Sequence, residues 1–401
     1  MSEWKEIEFA ECLIDESISY GIVQPGSDVR TNSVPIIRVQ NIKNGVIDTS
    51  DVRHVSKEIE EKYYRTRLQG GELLITVVGS VGETAIVPES LKGWNVARAV
   101  SVAKIKDIYN KYFIKYLFAT EDAIFQMYGN TNDTVQPTLN LKELKRLVFR
   151  IPEKNEQDEI AEVLSSLDDK IDLLHRQNRT LEQMAETLFR QWFVEEADEG
   201  WEEVTLKSLC EIITKGTTPT SLKRQFVEVG INFIKVNCID DKGNFLYDKF
   251  NFIDEETHNV ALKRSILQEG DFLYSIAGTI GRISEVTQEV LPANVNQALA
   301  ILRVDSELVN PYYVKYSLKD PNVTFDLHSK IVHAVQPNLS LGEIGSTLIP
   351  LPDKETRQKF NEVINPVQEK IKSNQTQIRT LTALRDTLLP KLMSGEVRVN
   401  I

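Results

Sequence analysis

Cysteine is scarce in this chain, with only three among 401 residues, at positions 12, 210 and 238. An odd count with no close spacing excludes a disulfide framework and reads as reduced core thiols. No apolar run approaches the ~20 residues needed to span a bilayer. The stretch Met1–Phe9 is charged and lacks the apolar segment of a secretory signal. A cytoplasmic protein is the expectation. Histidine is equally sparse: five in all, scattered, and His328 and His333 lack the cysteine or carboxylate company of a metal site. There is no GxxxxGK[ST] phosphate loop and no GxSxG nucleophile elbow. The many carboxylates form no constellation of the kind a catalytic centre needs, so no catalytic residue, metal or cofactor is expected.

Basic charge is also short overall, with a net charge of −12. Its distribution matters more than its sum. Residues 151–200 carry 14 acidic against 5 basic residues, a net −9, whereas residues 1–150 carry 20 against 19, a net −1. Residues 201–350 stand at −5 and 351–401 at +3. The first large region can therefore carry a basic face, and any such face in the second must be local.

What is present in abundance is repetition. Gly71-Glu72-Leu73-Leu74 returns as Gly270-Asp271-Phe272-Leu273, an offset of 199 residues. At the same offset TVVGSVG (Thr76–Gly82) returns as SIAGTIG (Ser275–Gly281). NKYFIKY (Asn110–Tyr116) returns as NPYYVKY (Asn310–Tyr316), and VQPTLNL (Val135–Leu141) as VQPNLSL (Val335–Leu341), the last identical at five of seven positions. IIRVQNI (Ile36–Ile42) matches FIKVNCI (Phe233–Ile239). A period near 200 is far too long for a solenoid and means a duplicated domain with its linker.

Each copy opens with short apolar alternations, such as Ile36–Ile42, Glu72–Val78 and Ala99–Ile105, that predict strands. The glycines at 79, 82, 278 and 281 sit inside these patterns and predict tight turns more than a backbone clamp on nucleic acid. A proline-bearing hinge follows, at Ile151-Pro152 and at Pro350-Leu351-Pro352. Beyond it the period changes. Ile160, Leu164, Leu167, Ile171, Leu174, Asn178, Leu181, Ala185, Leu188 and Trp192 alternate steps of four and three, a heptad seam. Two hundred residues on, the same positions hold Phe360, Ile364, Val367, Ile371, Asn374, Ile378, Leu381, Arg385, Leu388 and Leu392. Arg385 is a poor core residue, so Leu384 is expected to turn inward there, or a partner to meet that end. A helix over Glu156–Phe193 would run roughly 57 Å. The two apolar stripes are obvious partners for each other. Antiparallel pairing with Asn178 opposite Asn374 would set Leu174 against Ile378 and Leu181 against Ile371, a lone polar layer fixing register.

The expected architecture is therefore α+β. Two similar mixed α/β domains, residues 1–150 and 198–350, are joined by two long helices, in 151–197 and 351–401, as an antiparallel coiled coil with pseudo-two-fold symmetry. Asn310-Pro311-Tyr312-Tyr313 resembles part of an amino-methyltransferase signature, but the second proline is missing and the first copy has Asn110-Lys111 there. A helix start, with Asn as cap and Pro in the first turn, fits better. Two diverged readers on a rigid spacer suit a long periodic ligand, and DNA with two different half-sites is the natural candidate. A 57 Å helix spans about 17 base-pair steps.

Taken in order, KGTTPT (Lys215–Thr220), GINFIKVNCID (Gly230–Asp240), GDFLYSIAGTIG (Gly270–Gly281), ANVNQALAIL (Ala293–Leu302) and VQPNLSL resemble the specificity subunit of type I restriction–modification systems. The first copy repeats the order with SYGIVQPG (Ser19–Gly26), IIRVQNI, GGELLITVVGSVG, NVARAVSV (Asn95–Val102) and VQPTLNL, so the resemblance covers essentially the whole chain. It implies two target-recognition domains, each reading half of a bipartite asymmetric site in double-stranded DNA, with the helices as a ruler. It also implies two methyltransferase (modification) subunits, which would bring S-adenosylmethionine and methylate adenine, and restriction (translocase–nuclease) subunits in the full complex. The acidic first helix would be a docking face for them. The family's Glu-Gln pair after the hinge stands as Glu156-Gln157 in copy one, but copy two has Thr356-Arg357 followed by Gln358, which leaves the start of the second helix open.

Base edges are read by Arg, Lys, Asn and Gln, and phosphates also by Ser, Thr and backbone amides. On that chemistry the candidates in copy one are Arg30, Asn32, Arg38, Gln40, Lys43, Arg98 and Gln136. In copy two they are Lys215, Thr217, Thr218, Lys223, Arg224, Lys235, Asn237, Gln297 and Gln336. Gln136 and Gln336 are shared by both copies, which favours a structural role for them. The alternatives to the family reading are a stand-alone two-headed DNA-binding regulator, a coiled-coil protein scaffold, and, weakly, a methyltransferase in its own right.

Overall fold

The computed structural model describes residues 4–129, 137–198, 200–331 and 337–399. It divides into two units, Met1–Arg176 with Asn374–Ile401, and Gln177–Ser373. Each unit contains one globular domain and a segment of each long helix.

In the first unit a central antiparallel sheet runs in the order Leu13–Tyr20, Val100–Ile105, Leu73–Thr76, Thr84–Ile86. Its side chains alternate as a strand demands. Leu73 and Ile75 enter one core with Phe9, Phe113, Phe118, Phe149, Ile160 and Leu164, while Leu74 and Val102 enter a second with Ile37, Leu68 and Val96. The sheet is thus buried on both faces, which explains its nearly unbroken apolar strands. A smaller three-stranded sheet covers the second face, with Ser33–Ile37 between Arg53–Ser56 and Asn95–Val96, the latter pairing parallel. A short two-stranded ribbon pairs Lys5–Glu8 with Val148–Ile151, bringing the start and end of the domain together.

The second unit repeats this topology. Its four-stranded sheet runs Cys210–Lys215, Leu299–Val304, Phe272–Ser275, Ile283–Glu285. Phe272 and Tyr274 face one core and Leu273 the other. Ile231–Ile234 lies between Asn251–Ile253 and Ala293–Val295, again with one parallel pair. Glu202–Thr205 closes on Leu348–Leu351. The repeat seen in the sequence is therefore a repeat of fold, apart from a small two-stranded sheet, Ile42–Lys43 with Val46–Ile47, that the second unit reduces to a single bridge between Ile239 and Phe245.

The expected strand over Ile36–Ile42 is shorter than its apolar pattern. It ends at Ile37, and a 3₁₀ turn occupies Val39–Asn41. The cause is Asn41, buried, whose side chain accepts from the Arg38 amide at 2.9 Å and donates to the carbonyls of Asp48 and Asp51 at 3.0 and 2.8 Å. These bonds satisfy locally the groups a ladder would use. Cys238 takes the same place in the second unit, accepting from the Lys235 amide at 3.4 Å and donating to the Lys249 carbonyl at 3.1 Å. The glycine pairs are hairpin turns: Gly79 and Gly82, at φ 78° and 94°, join Leu73–Thr76 to Thr84–Ile86, and Gly278 and Gly281 do the same at 77° and 99°. Asn110 and Asn310 cap short helices, Lys111–Leu117 and Pro311–Lys319, with Pro311 in the first turn as expected.

The first long helix spans Lys154–Arg190 and passes into a π turn at Gln191–Glu195; the second spans Lys354–Met393. Within each unit their segments run antiparallel. In the first, Ile160, Ala161 and Leu164 share a core with Leu388, Leu392 and Met393. In the second, Ala185, Phe189 and Phe193 share one with Phe360, Ile364 and Val367, and the Asn178 side chain donates to the Ile371 carbonyl at 3.4 Å. Of the seam residues Leu164, Leu174, Ile364, Val367, Ile371 and Asn374 are buried, and Leu167, Ile171, Asn178, Leu181, Ile378 and Leu381 half-buried. The expectation that Leu384 replaces Arg385 in the seam is corrected: Leu384 is 44% exposed. Arg385 itself turns in, because Asp168 waits there at 3.0 Å.

Candidate nucleic-acid interface

The two loops that the sequence motifs single out are brought together by one glycine in each unit. Gly216 follows the strand Cys210–Lys215, and a Cβ built there would lie 1.7 Å from the Val295 carbonyl oxygen. Only glycine permits this crossing. It carries Thr217 and Thr218 against the ANVNQ loop, where the Thr218 hydroxyl donates to the Gln297 side-chain oxygen at 2.5 Å. Gly21 does the same in the first unit, with a Cβ 2.1 Å from the Val96 carbonyl oxygen. The Ile22 amide then donates to Val96 and the Arg98 amide to Ile22, at 2.8 and 2.9 Å. The pairing of KGTTPT with ANVNQ, and of SYGIVQPG with NVARAV, is thus a matter of backbone packing.

Around these crossings the candidate side chains are mostly exposed, and their partners differ between units. In the first, Arg30 meets His54 at 2.9 Å and Asp28 at 3.2 Å. Asn32 sits at φ 50°. Arg38 is tied to Asp51 at 3.0 Å, with Gln40 on the same carboxylate at 3.3 Å. Gln40 and Lys43 line a shallow groove with Gly79, Ser80, Glu83 and Ala99, and Arg98 is exposed beside Ala99. In the second, Lys215 is half-buried, Lys223 is exposed at φ 59°, and Arg224 pairs with Glu256 at 2.7 Å. The Lys235 ammonium lies 4.5 Å from the centre of the Phe226 ring, and Asn237 is exposed. Gln136 and Gln336 lie outside the described residues.

Two basic residues escaped the sequence reading. Lys263 and Arg264 line a groove with Thr214, Gln268 and Arg303, and Arg264 donates to the Thr217 hydroxyl at 3.4 Å. Their signal was the Lys-Arg pair in ALKRSIL, which no repeated motif marked. Arg303 is committed elsewhere, gripping buried Asp271 with two bonds of 2.8 Å.

Burial pushes the Cys12 and Cys210 thiols up to about 12, and Cys238 upward too, so all three stay protonated. Among the described residues no three His, Cys, Asp or Glu side chains gather as a metal site would need, and no helix is long and apolar enough to cross a membrane.

The type I restriction modification DNA specificity domain matches the chain twice, over residues 26–183 and 198–383. The chain is 28% identical to the type I restriction enzyme MjaIX specificity subunit of Methanocaldococcus jannaschii, over 82% of this chain and 78% of that one. It is 24% identical to the HindI specificity subunit of Haemophilus influenzae, over 68% and 74% of the two chains. It shares its fold with the crystal structure of the type I restriction–modification S subunit from M. genitalium, at 17% identity, TM-score 0.59, and coverage of 100% and 97%. With both copies matched and the duplicated fold in place, the chain belongs to the type I restriction–modification DNA specificity family.

Proposed function

We propose that this chain is the sequence-reading, non-catalytic subunit of a type I restriction–modification complex, acting in the cytoplasm. Residues 1–150 and 198–350 each read one half of a bipartite, asymmetric site in double-stranded DNA. The observation that carries this is the same fold, built twice, with different side chains at equivalent positions around the glycine crossings. Arg38 beside Asp51 answers to Lys235 beside Phe226. Two readers of one design and different surface suit two different half-sites.

The residues proposed to face DNA are Arg30, Asn32, Gln40, Lys43 and Arg98 in the first domain. In the second they are Lys215, Thr217, Thr218, Lys223, Asn237 and Gln297, joined by Lys263 and Arg264. Arg38 and Arg224 reach DNA by leaving an exposed carboxylate, which costs little, and Lys235 by leaving the face of the Phe226 ring. Two methyltransferase subunits supply S-adenosylmethionine and methylate adenine, and restriction subunits complete the assembly; the specificity chain supplies no cofactor of its own.

Coexpression with a candidate methyltransferase subunit, followed by genome-wide mapping of methylated adenine, tests this. One bipartite motif is expected. Exchanging residues 1–150 changes one half and exchanging 198–350 the other. A complex that methylates no defined motif, or no complex at all, refutes the proposal.

A further inference from the structure

The repeated motif NKYFIKY/NPYYVKY does more than cap a helix. In the first unit the Lys115 ammonium meets Asp168 of the first long helix at 3.0 Å, and the Tyr116 hydroxyl donates to the same oxygen at 2.7 Å. Arg385 of the second long helix holds the other carboxylate oxygen at 3.0 Å. In the second unit Lys315 meets Glu182 at 3.1 Å, and the Tyr316 hydroxyl donates to it at 3.0 Å. Lys319 adds a bond to Glu182 at 2.8 Å, and Gln368 of the second long helix donates to the Tyr316 hydroxyl at 2.7 Å. In both units the lysine stands over its neighbouring tyrosine ring, at 4.7 and 5.0 Å.

The carboxylates do not occupy equivalent positions. Two hundred residues after Asp168 stands Gln368, so the second unit draws its acid from position 182 of the other helix. The motif's lysine and tyrosine have kept one carboxylate in their grip although its origin moved. A contact needed for burial alone is as well made by apolar side chains, since buried charges recover little stability. What short charge-assisted bonds add is direction.

We infer that Lys115–Tyr116 with Asp168, and Lys315–Tyr316 with Glu182, are clasps that fix the angle of each reading domain on its helices and thereby set the gap between half-sites. This rests on the proposed DNA-reading function. A domain of about 150 residues has a radius of gyration near 15 Å, so its surface lies about 19 Å from its centre. A tilt of about 10° moves that surface by about 3.3 Å, one base-pair step. Directional bonds are needed to keep slack below that value. These are positioning residues: each acts through the packing of its domain on the helices.

The test uses the full complex with methyltransferase, on DNA carrying the native gap or a gap one base pair longer or shorter. The variants are Asp168→Asn, Glu182→Gln, Tyr116→Phe and Tyr316→Phe. Half-site identity is expected to stay unchanged, while preference for the native gap falls about tenfold, as small misplacements of a catalytic assembly do. Asp168→Glu and Glu182→Asp should restore part of it. Lower thermal stability with unaltered gap preference would overturn the inference and leave a structural role. If the carboxamide variants fail to fold, the tyrosine variants, which lose one hydroxyl, decide it. A wild-type complex with no bipartite motif overturns the function itself, an outcome distinct from both.

Discussion

Phe360→Ala should cost the second unit more than any other single truncation in its helix pair. The ring is 2% exposed. Its centre lies 5.0 Å from that of Phe193 and 6.4 Å from those of Phe189, Trp192 and Tyr313. Four rings around one leave little freedom to collapse, so the upper part of the usual Phe→Ala range applies, about 4 kcal/mol. For a cooperative unit of about 200 residues each kcal/mol moves the midpoint by roughly 2–4 °C, giving a fall of roughly 8–16 °C. Trp192 and Trp201 report on this cluster, the latter 5.9 Å from Phe193. Trp4 and Trp94 belong to the first unit, and replacing both by Phe leaves fluorescence that follows the second unit alone. Thermal unfolding followed by that fluorescence is the assay. A shift below about 3 °C would refute the reasoning, because it would mean the cluster refills the cavity without loss.

Other outcomes follow from the same geometry. Burial pushes the Glu182 carboxyl up, and Lys315 and Lys319 more than reverse this, holding it at about 2. Its folded value lies below the ordinary 4.5, so its contribution is complete above that pH and is lost as pH falls toward 2. Glu182→Gln should flatten stability between pH 4.5 and 2 relative to wild type, as measured by urea unfolding. Gly216→Ala should destabilise the second domain by several kcal/mol, about 3 or more, since its methyl would meet a backbone carbonyl rather than a yielding side chain; an unaltered melting temperature would contradict the crossing. Lys223→Ala and Arg98→Ala should each lower the slope of log affinity against log salt by about 0.9, read by titration of a cognate duplex. An unchanged slope would remove that residue from the phosphate-contacting set.

Much of this was legible from the chain. The five repeated motifs announced a duplicated fold, and the change of period after Pro152 and Pro350 announced the long helices. Asn310-Pro311 read correctly as a helix start, because capping is local chemistry. What escaped depends on partners distant in sequence. Arg385 looked misplaced in an apolar seam because Asp168, which accounts for it, lies 217 residues away. The strand ending at Ile37 was overextended because alternation cannot reveal that Asn41 is buried and bonded to its own loop. Lys263 and Arg264 gain their interest only from the fold, which sets Arg264 beside Thr217. Gly216 was visible as a motif letter, while the Val295 carbonyl that requires it was not.

The ribbons that close the domains carry a consequence for inheritance. Lys5 stands opposite Ile151, and Glu202 opposite Leu351, so the two ends of each domain lie side by side. Paired strands stand about 5 Å apart. A foreign domain whose two ends meet at that spacing, and which keeps the helix-facing apolar side chains and the lysine–tyrosine pair, can occupy the same socket with the helices undisturbed. Genetic exchange at these ribbons would then deliver a new half-specificity in one event, and the number of readable sites would grow as the product of the domains available for the two sockets.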